Sequence, residues 1–149
     1  MRVKDLLKEG KGFFHTLEGD KTVGQAIGLM SGYNLSGLMV TDKDVPKGIF
    51  TEQDLLRCHL LFPHQDIHTI LIKEVMTSAL IVAEPDETID DAMGMMIKAN
   101  IRHLPVVGQG KIMGMLCLTD LVKAHVGALT QELHYLKDYI SDLQDAAHD

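Results

Sequence analysis

The chain repeats itself. Shifted by 66 positions, residues 18–55 fall on 84–121 without a gap, and 12 of those 38 positions are identical. Among the identical pairs are Asp20/Asp86, Thr22/Thr88, Asn34/Asn100, Leu38/Leu104, Gly48/Gly114 and Asp54/Asp120. The start repeats as well: Val3-Lys4-Asp5-Leu6-Leu7 resembles Ile72-Lys73-Glu74-Val75-Met76 at a shift of 69, so extra residues near Gly10–Phe13 absorb the difference. A unit of about 55 residues buries too little surface to be comfortable alone. Two copies facing each other across a pseudo-twofold axis would share one core and leave two related clefts between the halves.

Each copy reads as β-α-β-β-α. A short apolar strand (Phe13–Leu17; Leu80–Ala83) leads to a Thr preceded by acidic residues, the signature of a helix N-cap (Thr22; Thr88). The helix that follows has apolar residues at helical spacing: Val23, Ala26, Ile27 and Met30 in one copy, Ile89, Ala92, Met93 and Met96 in the other. Two strands come next, Gly37–Thr41 with Lys47–Phe50 and His103–Val107 with Lys111–Leu116. The segments between them, 42–46 and 108–110, carry turn residues. A last helix begins near Thr51 or Leu118. The expected class is mixed α/β (α+β), with copies at 1–62 and 72–126, a linker at 63–71 and a C-terminal amphipathic helix at 127–149.

Composition narrows the function. The net charge of −7 repels polyanions, and no run of Lys and Arg supplies the basic face that nucleic-acid binding needs. No window approaches the roughly 18 apolar residues of a membrane span. The first residues lack the apolar stretch and cleavage site of a signal peptide. Two Cys make no disulfide framework, so a reducing cytoplasm is the expected location. With no Trp, 5% aromatics and nine Met, aliphatic and Met side chains must fill the core.

Thr51 and Asp54 lie where a strand passes into a helix, so hydroxyl and carboxylate project together from the first turn. An ionised carboxylate accepting two hydrogen bonds suits the vicinal diol of a ribose. Taken alone, the pair reads rather as an N-cap with a helix-dipole partner. Arg102 and His103 precede Pro105 at the mouth of a strand; Arg offers a fork of donors matching phosphate, and His a pH-sensitive one. The bland alternative is a surface Arg beside a half-buried His.

The segment Ile101-Arg102-His103-Leu104-Pro105-Val106-Val107 and the pattern Gly-x-x-(Thr/Ser)-x-x-Asp carry a resemblance. The pattern stands as Gly48–Asp54 and, with Cys117 in the hydroxyl position, as Gly114–Asp120. In this repeating frame each copy resembles a CBS domain, and residues 1–126 resemble a CBS pair, or Bateman module, of the stand-alone bacterial and archaeal type. The resemblance implies a signal-transduction module without a catalytic centre, binding an adenine nucleotide (AMP, ADP, ATP, NAD or S-adenosylmethionine type) and reporting to an effector protein. It implies no obligatory cofactor. It also implies cross-composed clefts: ribose contacts from Thr51 and Asp54 with phosphate contacts from Arg102, His103 and Thr88. The second cleft takes Asp120, Cys117, Ser36, Gly37 and Thr22, and is expected to be weaker, because Cys117 is a poor donor and Ser36-Gly37 brings no cation. The competing reading is a ligand-free dimerisation and interaction module.

Beyond the second copy, Val122, Val126, Leu129, Leu133, Leu136, Ile140, Leu143 and Ala147 follow a 3.5-residue apolar period. Gly127 is expected to bend or break this helix, which either pairs with its mate in a homodimer or lies on its own module. His59, His64 and His68 read as linker residues rather than metal ligands, and Cys58 and Cys117 as core cysteines, since nothing supplies a third ligand or an oxyanion hole.

Overall fold

The computed structural model describes residues 1–148. The first copy forms α1 (Val3–Lys8), β1 (Thr16–Glu18), α2 (Val23–Tyr33), β2 (Gly37–Asp42), β3 (Val45–Thr51) and α3 (Glu52–Leu61). The second forms α4 (Ile72–Val75), α5 (Ile89–Ala99), β4 (His103–Gly108), β5 (Lys111–Cys117) and α6 (Leu118–His148). The class is mixed α and β, as the sequence implies.

Repeated residues have repeated jobs. Thr22 and Thr88 are the N-caps of α2 and α5, accepting hydrogen bonds from the Gln25 and Asp91 backbone N–H groups. Asn34 and Asn100 end those helices in the left-handed conformation, both at φ 55°, which Asn tolerates better than most side chains. The hairpins close more tightly than expected. Lys43-Asp44 and Gln109-Gly110 alone make the turns, all four at positive φ, a two-residue geometry that matches strand twist. Val45 and Pro46 therefore belong to β3.

The first strand of each copy departs from expectation. β1 is Thr16–Glu18, parallel to β2, rather than Phe13–Leu17. Its counterpart is no strand at all, only a bridge between Ala83 and Val106. The cause is Pro105. In copy one the Met39 N–H donates to the His15 carbonyl; Pro105 stands at the matching position and has no N–H to give. The bonds of Ala83 to Pro105 and of Val107 to Ala83 survive.

The cores are exchanged. Val3 and Leu6 of α1 pack with Ala83, Ile89, Met96, Leu104 and Leu121 of the second copy. Ile72 and Val75 of α4 pack with Val23, Leu38, Phe50 and Cys58 of the first. Backbone bonds fasten both leaders: Val3 to Glu87 and Lys4 to Pro85, Ile72 to Lys21 and Lys73 to Gly19. A third small core, with Met39, Ile49 and Met115 buried, joins the two halves. Gly127 does not break the last helix; α6 runs unbroken through it. One glycine in a long helix costs only about 1 kcal/mol.

Candidate functional site

Thr51 ends β3 and is the N-cap of α3, so the chain turns there with its first helical residues facing the other copy. Arg102 and His103 come from the entry to β4. They meet in one groove of about 120 Å³, lined by Ile49, Thr51, Glu52, Gln53, Thr77, Ile101, Arg102 and His103. That is smaller than the roughly 300–1,000 Å³ of an open small-molecule site, so a nucleotide would have to extend beyond it or widen it. First-copy and second-copy residues thus converge on a single cleft.

Asp54 sits beneath it, 3% exposed. Its Oδ1 accepts from Arg57 Nη2 and from Thr77 Oγ1, each at 2.7 Å. Its Oδ2 accepts from the Thr51 backbone N–H at 2.9 Å and more loosely from the Thr51 hydroxyl at 3.4 Å. Arg57 also donates to the Val75 carbonyl, so Asp54 ties α3 to the leader of the second copy. A carboxylate expected to meet a ligand is, in the free protein, fully engaged by its own chain.

Arg102 is exposed, and its guanidinium makes no ion pair among the described residues. Its backbone carbonyl accepts from Leu118 N–H, which fixes the strand mouth. His103 is half-buried, and its Nε2 lies 2.6 Å from Ser36 Oγ. Burial holds its pKa below the ordinary value of 6.5, and the Arg102 charge adds to this, against the opposing carboxylates of Glu52 and Asp54. The imidazole is therefore neutral at pH 7.

Thr88, predicted for the phosphate side with Arg102 and His103, does not line this groove. It bridges instead to Arg2 and lines a separate hollow with Met1, Asp90 and His125. Thr22 likewise bridges to Leu71. Both hydroxyls accept a capping hydrogen bond. Ser36, expected in the second cleft, is held by His103. Around Asp120 the arrangement is thinner: Oδ2 accepts from the Cys117 N–H and Sγ at 3.1 and 3.0 Å, and Asp120 is half-exposed. The residue matching Arg57 is Lys123, which is exposed and makes no ion pair among the described residues.

Thr77, Arg57, Glu52 and Gln53 complete the first site and were not singled out in the sequence. Thr77 lies just where the shift between copies changes from 66 to 69, so no matched position marks it. Arg57 follows Asp54 by three residues on α3, and that spacing was a usable signal. Among the described residues no group of three His, Cys, Asp or Glu side chains could hold a metal, and no helix is long and apolar enough to cross a membrane.

The profile described as "CBS domain" matches twice, at residues 3–60 and 72–127. The CBS domain-containing protein YhcV of Bacillus subtilis is 30% identical over 106 residues, 71% of this chain and 74% of that protein. The inosine-5'-monophosphate dehydrogenase of Methanocaldococcus jannaschii is 32% identical over 110 residues, but the match spans only 21% of that enzyme. Among solved structures, the CBS domain structure of NE2398 has a TM-score of 0.79 at 31% identity, covering 85% of this chain and 98% of that one. The CBS domain pair of MJ0100, solved with 5'-methylthioadenosine and S-adenosyl-L-methionine, has a TM-score of 0.73 at 25% identity, with 86% of this chain and 98% of that chain covered.

Proposed function

The chain belongs to the CBS-domain family and carries two copies of that domain, and from this premise we propose that it is a cytoplasmic regulatory module, not an enzyme, that binds an adenine nucleotide between them. The carrying observation is the convergence of Thr51 and the start of α3 from one copy with Arg102 and His103 from the other in a single groove. An unpaired guanidinium at the rim suits a phosphate. The neutral imidazole beside it can gain a proton when an anion arrives. The adenosine-bearing ligands of the MJ0100 pair support the ligand class. For a ribose to reach Asp54, one internal hydroxyl must yield, and the long Thr51 hydroxyl contact is the weakest of the four. Ligand state would reach an effector protein through the relative placement of the copies in a homodimer, driven only by differential affinity for two arrangements.

A second reading has its own support. The saturated Asp54 carboxylate suits a ligand-free module in which this residue is purely structural. Thermal unfolding with AMP, ADP, ATP, NAD and S-adenosylmethionine separates the two. Nucleotide binding predicts a higher Tm with at least one of them, and loss of the gain in Arg102→Ala. Because Arg102 is exposed and unpaired, that variant should change the free protein by no more than about 0.5 kcal/mol. No shift at millimolar concentration of any of the five would favour the structural module.

A further inference from the structure

One helix carries two apolar faces. On α6, Leu121 is fully buried, and Leu118 and Ala124 pack against the second-copy core. His125 Nδ1 meets Asp90 Oδ1 at 2.9 Å, pinning this first stretch to α5. The last contacts with the body come at the hollow lined by Ala128, Leu129 and Glu132. Beyond it the described side chains through Ala147 are exposed, and the helix extends from the body for about 24 Å.

Apart from Leu129 at that hollow, the second face lines no cavity with the described body. Its heptad places Val126, Leu133 and Ile140 at a, and Val122, Leu129, Leu136 and Leu143 at d. All seven are 40–58% exposed. Leu at every d position but the first, with Val or Ile at two of three a positions, is the pattern that favours two parallel strands. No polar side chain interrupts the seam. The flanking charges agree. Glu132 stands at g and Lys137 at the following e, so a parallel in-register pair sets each Glu132 against the Lys137 of the second copy, twice by symmetry. An antiparallel pair would face g against g and e against e, setting Lys123 and Lys137 among Thr130, Gln144 and each other, with no Lys–Glu match.

We propose that the free half of α6 pairs with its counterpart in a second copy of this chain as a parallel, in-register two-stranded coiled coil. The inference rests on the homodimer reading, and its test tells the two apart. On the full chain, Leu129→Cys and Leu143→Cys are oxidised mildly, with Ser141→Cys on the outer helix face and the parent protein as controls. Both Leu variants should form disulfide-linked dimers roughly tenfold faster than Ser141→Cys, since only facing d positions come within disulfide reach. An antiparallel pair leaves at least one of the two reduced, because both cannot lie at its centre. Failure of either to link, or equal rates in all three, overturns the coil. Sedimentation then separates the cases: a two-chain mass without linkage leaves a dimer through another surface, and a one-chain mass removes the dimer too. Independently, Glu132→Lys should weaken the dimer roughly two- to five-fold per lost pair, and adding Lys137→Glu should restore it. An unchanged dissociation constant in Glu132→Lys also counts against the coil.

Discussion

His103 Nε2 and Ser36 Oγ lie 2.6 Å apart, although each was expected to serve a different cleft. The reason is local crowding near the approximate twofold axis. His103 occupies the position in its copy that Gly37 occupies in the other, and a Cβ on Gly37 would come within 3.3 Å of the His103 ring. A side chain at position 37 would need the His103 ring to give by a few tenths of an ångström. Gly37 opposite His103 keeps this packing relaxed, and the Ser36–His103 hydrogen bond links residues expected in the two clefts.

The depressed pKa of His103 gives a pH dependence of known sign. Its folded value lies below 6.5 because of burial, so as pH falls through 6.5 the unfolded chain takes up a proton that the folded chain does not. Stability then declines with pH until the folded value is passed, below which the loss is complete. Urea unfolding between pH 7.5 and 5 should show a larger loss in the parent than in His103→Gln. Parallel pH profiles would mean that the imidazole titrates as it does in the unfolded chain.

The two aspartates at matched positions should differ sharply in what their removal costs. Asp54 is buried with Arg57, Thr77 and Thr51 as donors, whereas Asp120 is half-exposed with Cys117 as its donor and no basic partner among the described residues. Asp54→Ala strands Arg57 and Thr77 at once. Half the Arg57 side chain is exposed, so water screens part of the loss, and about 2–3 kcal/mol is expected. Asp120→Ala removes one cap-like acceptor and should cost about 1 kcal/mol or less. Equal losses in denaturant unfolding would show that the internal bonds to Asp54 contribute little. The same asymmetry makes Asp54→Ala a poor reporter of ligand binding, since a lost thermal shift would mix with a damaged fold.

Gly48 holds the second leader against the first sheet. A Cβ there would stand 2.7 Å from the Thr77 carbonyl oxygen and 2.6 Å from the Met76 sulfur. The thioether can move; the backbone oxygen, bonded to Ile49 N–H at 2.9 Å, cannot without breaking the bridge. Gly48→Ala should therefore push Thr77 away from Asp54 and cost about 1–3 kcal/mol. Nucleotide affinity, if Thr77 lines the ligand site, should fall with it. A variant as stable as the parent would show that this backbone approach is slack.

Much of this was legible in the sequence because the repeat doubled every local signal. Thr22 and Thr88 read as caps, Asn34 and Asn100 recur because both helices end in the same left-handed turn, and Thr51, Arg102 and His103 were placed by motif. What failed was long-range. Thr88 follows the motif into the cleft, whereas in the fold it caps α5 and lines a separate hollow. The strand at Leu80–Ala83 was lost to a proline on its neighbour, a defect visible only once the pairing is known. No periodicity could show that Asp54 is saturated by Thr77, since that contact spans both copies.

The exchange of leader helices was equally invisible, and it makes a prediction about where instability appears. Leu6 lies in the first copy by sequence, yet it is 3% exposed within the second-copy core. Leu6→Ala leaves a cavity there and should cost about 2–5 kcal/mol. Hydrogen exchange resolves which half suffers. If the cores are exchanged in solution, amides of β4 and β5 lose more protection than those of β2 and β3, although the substitution sits at the start of the first copy. Ile72→Ala should do the reverse, loosening β2 and β3 from within the second copy. A leader that packed on its own copy would give the opposite pattern in both variants.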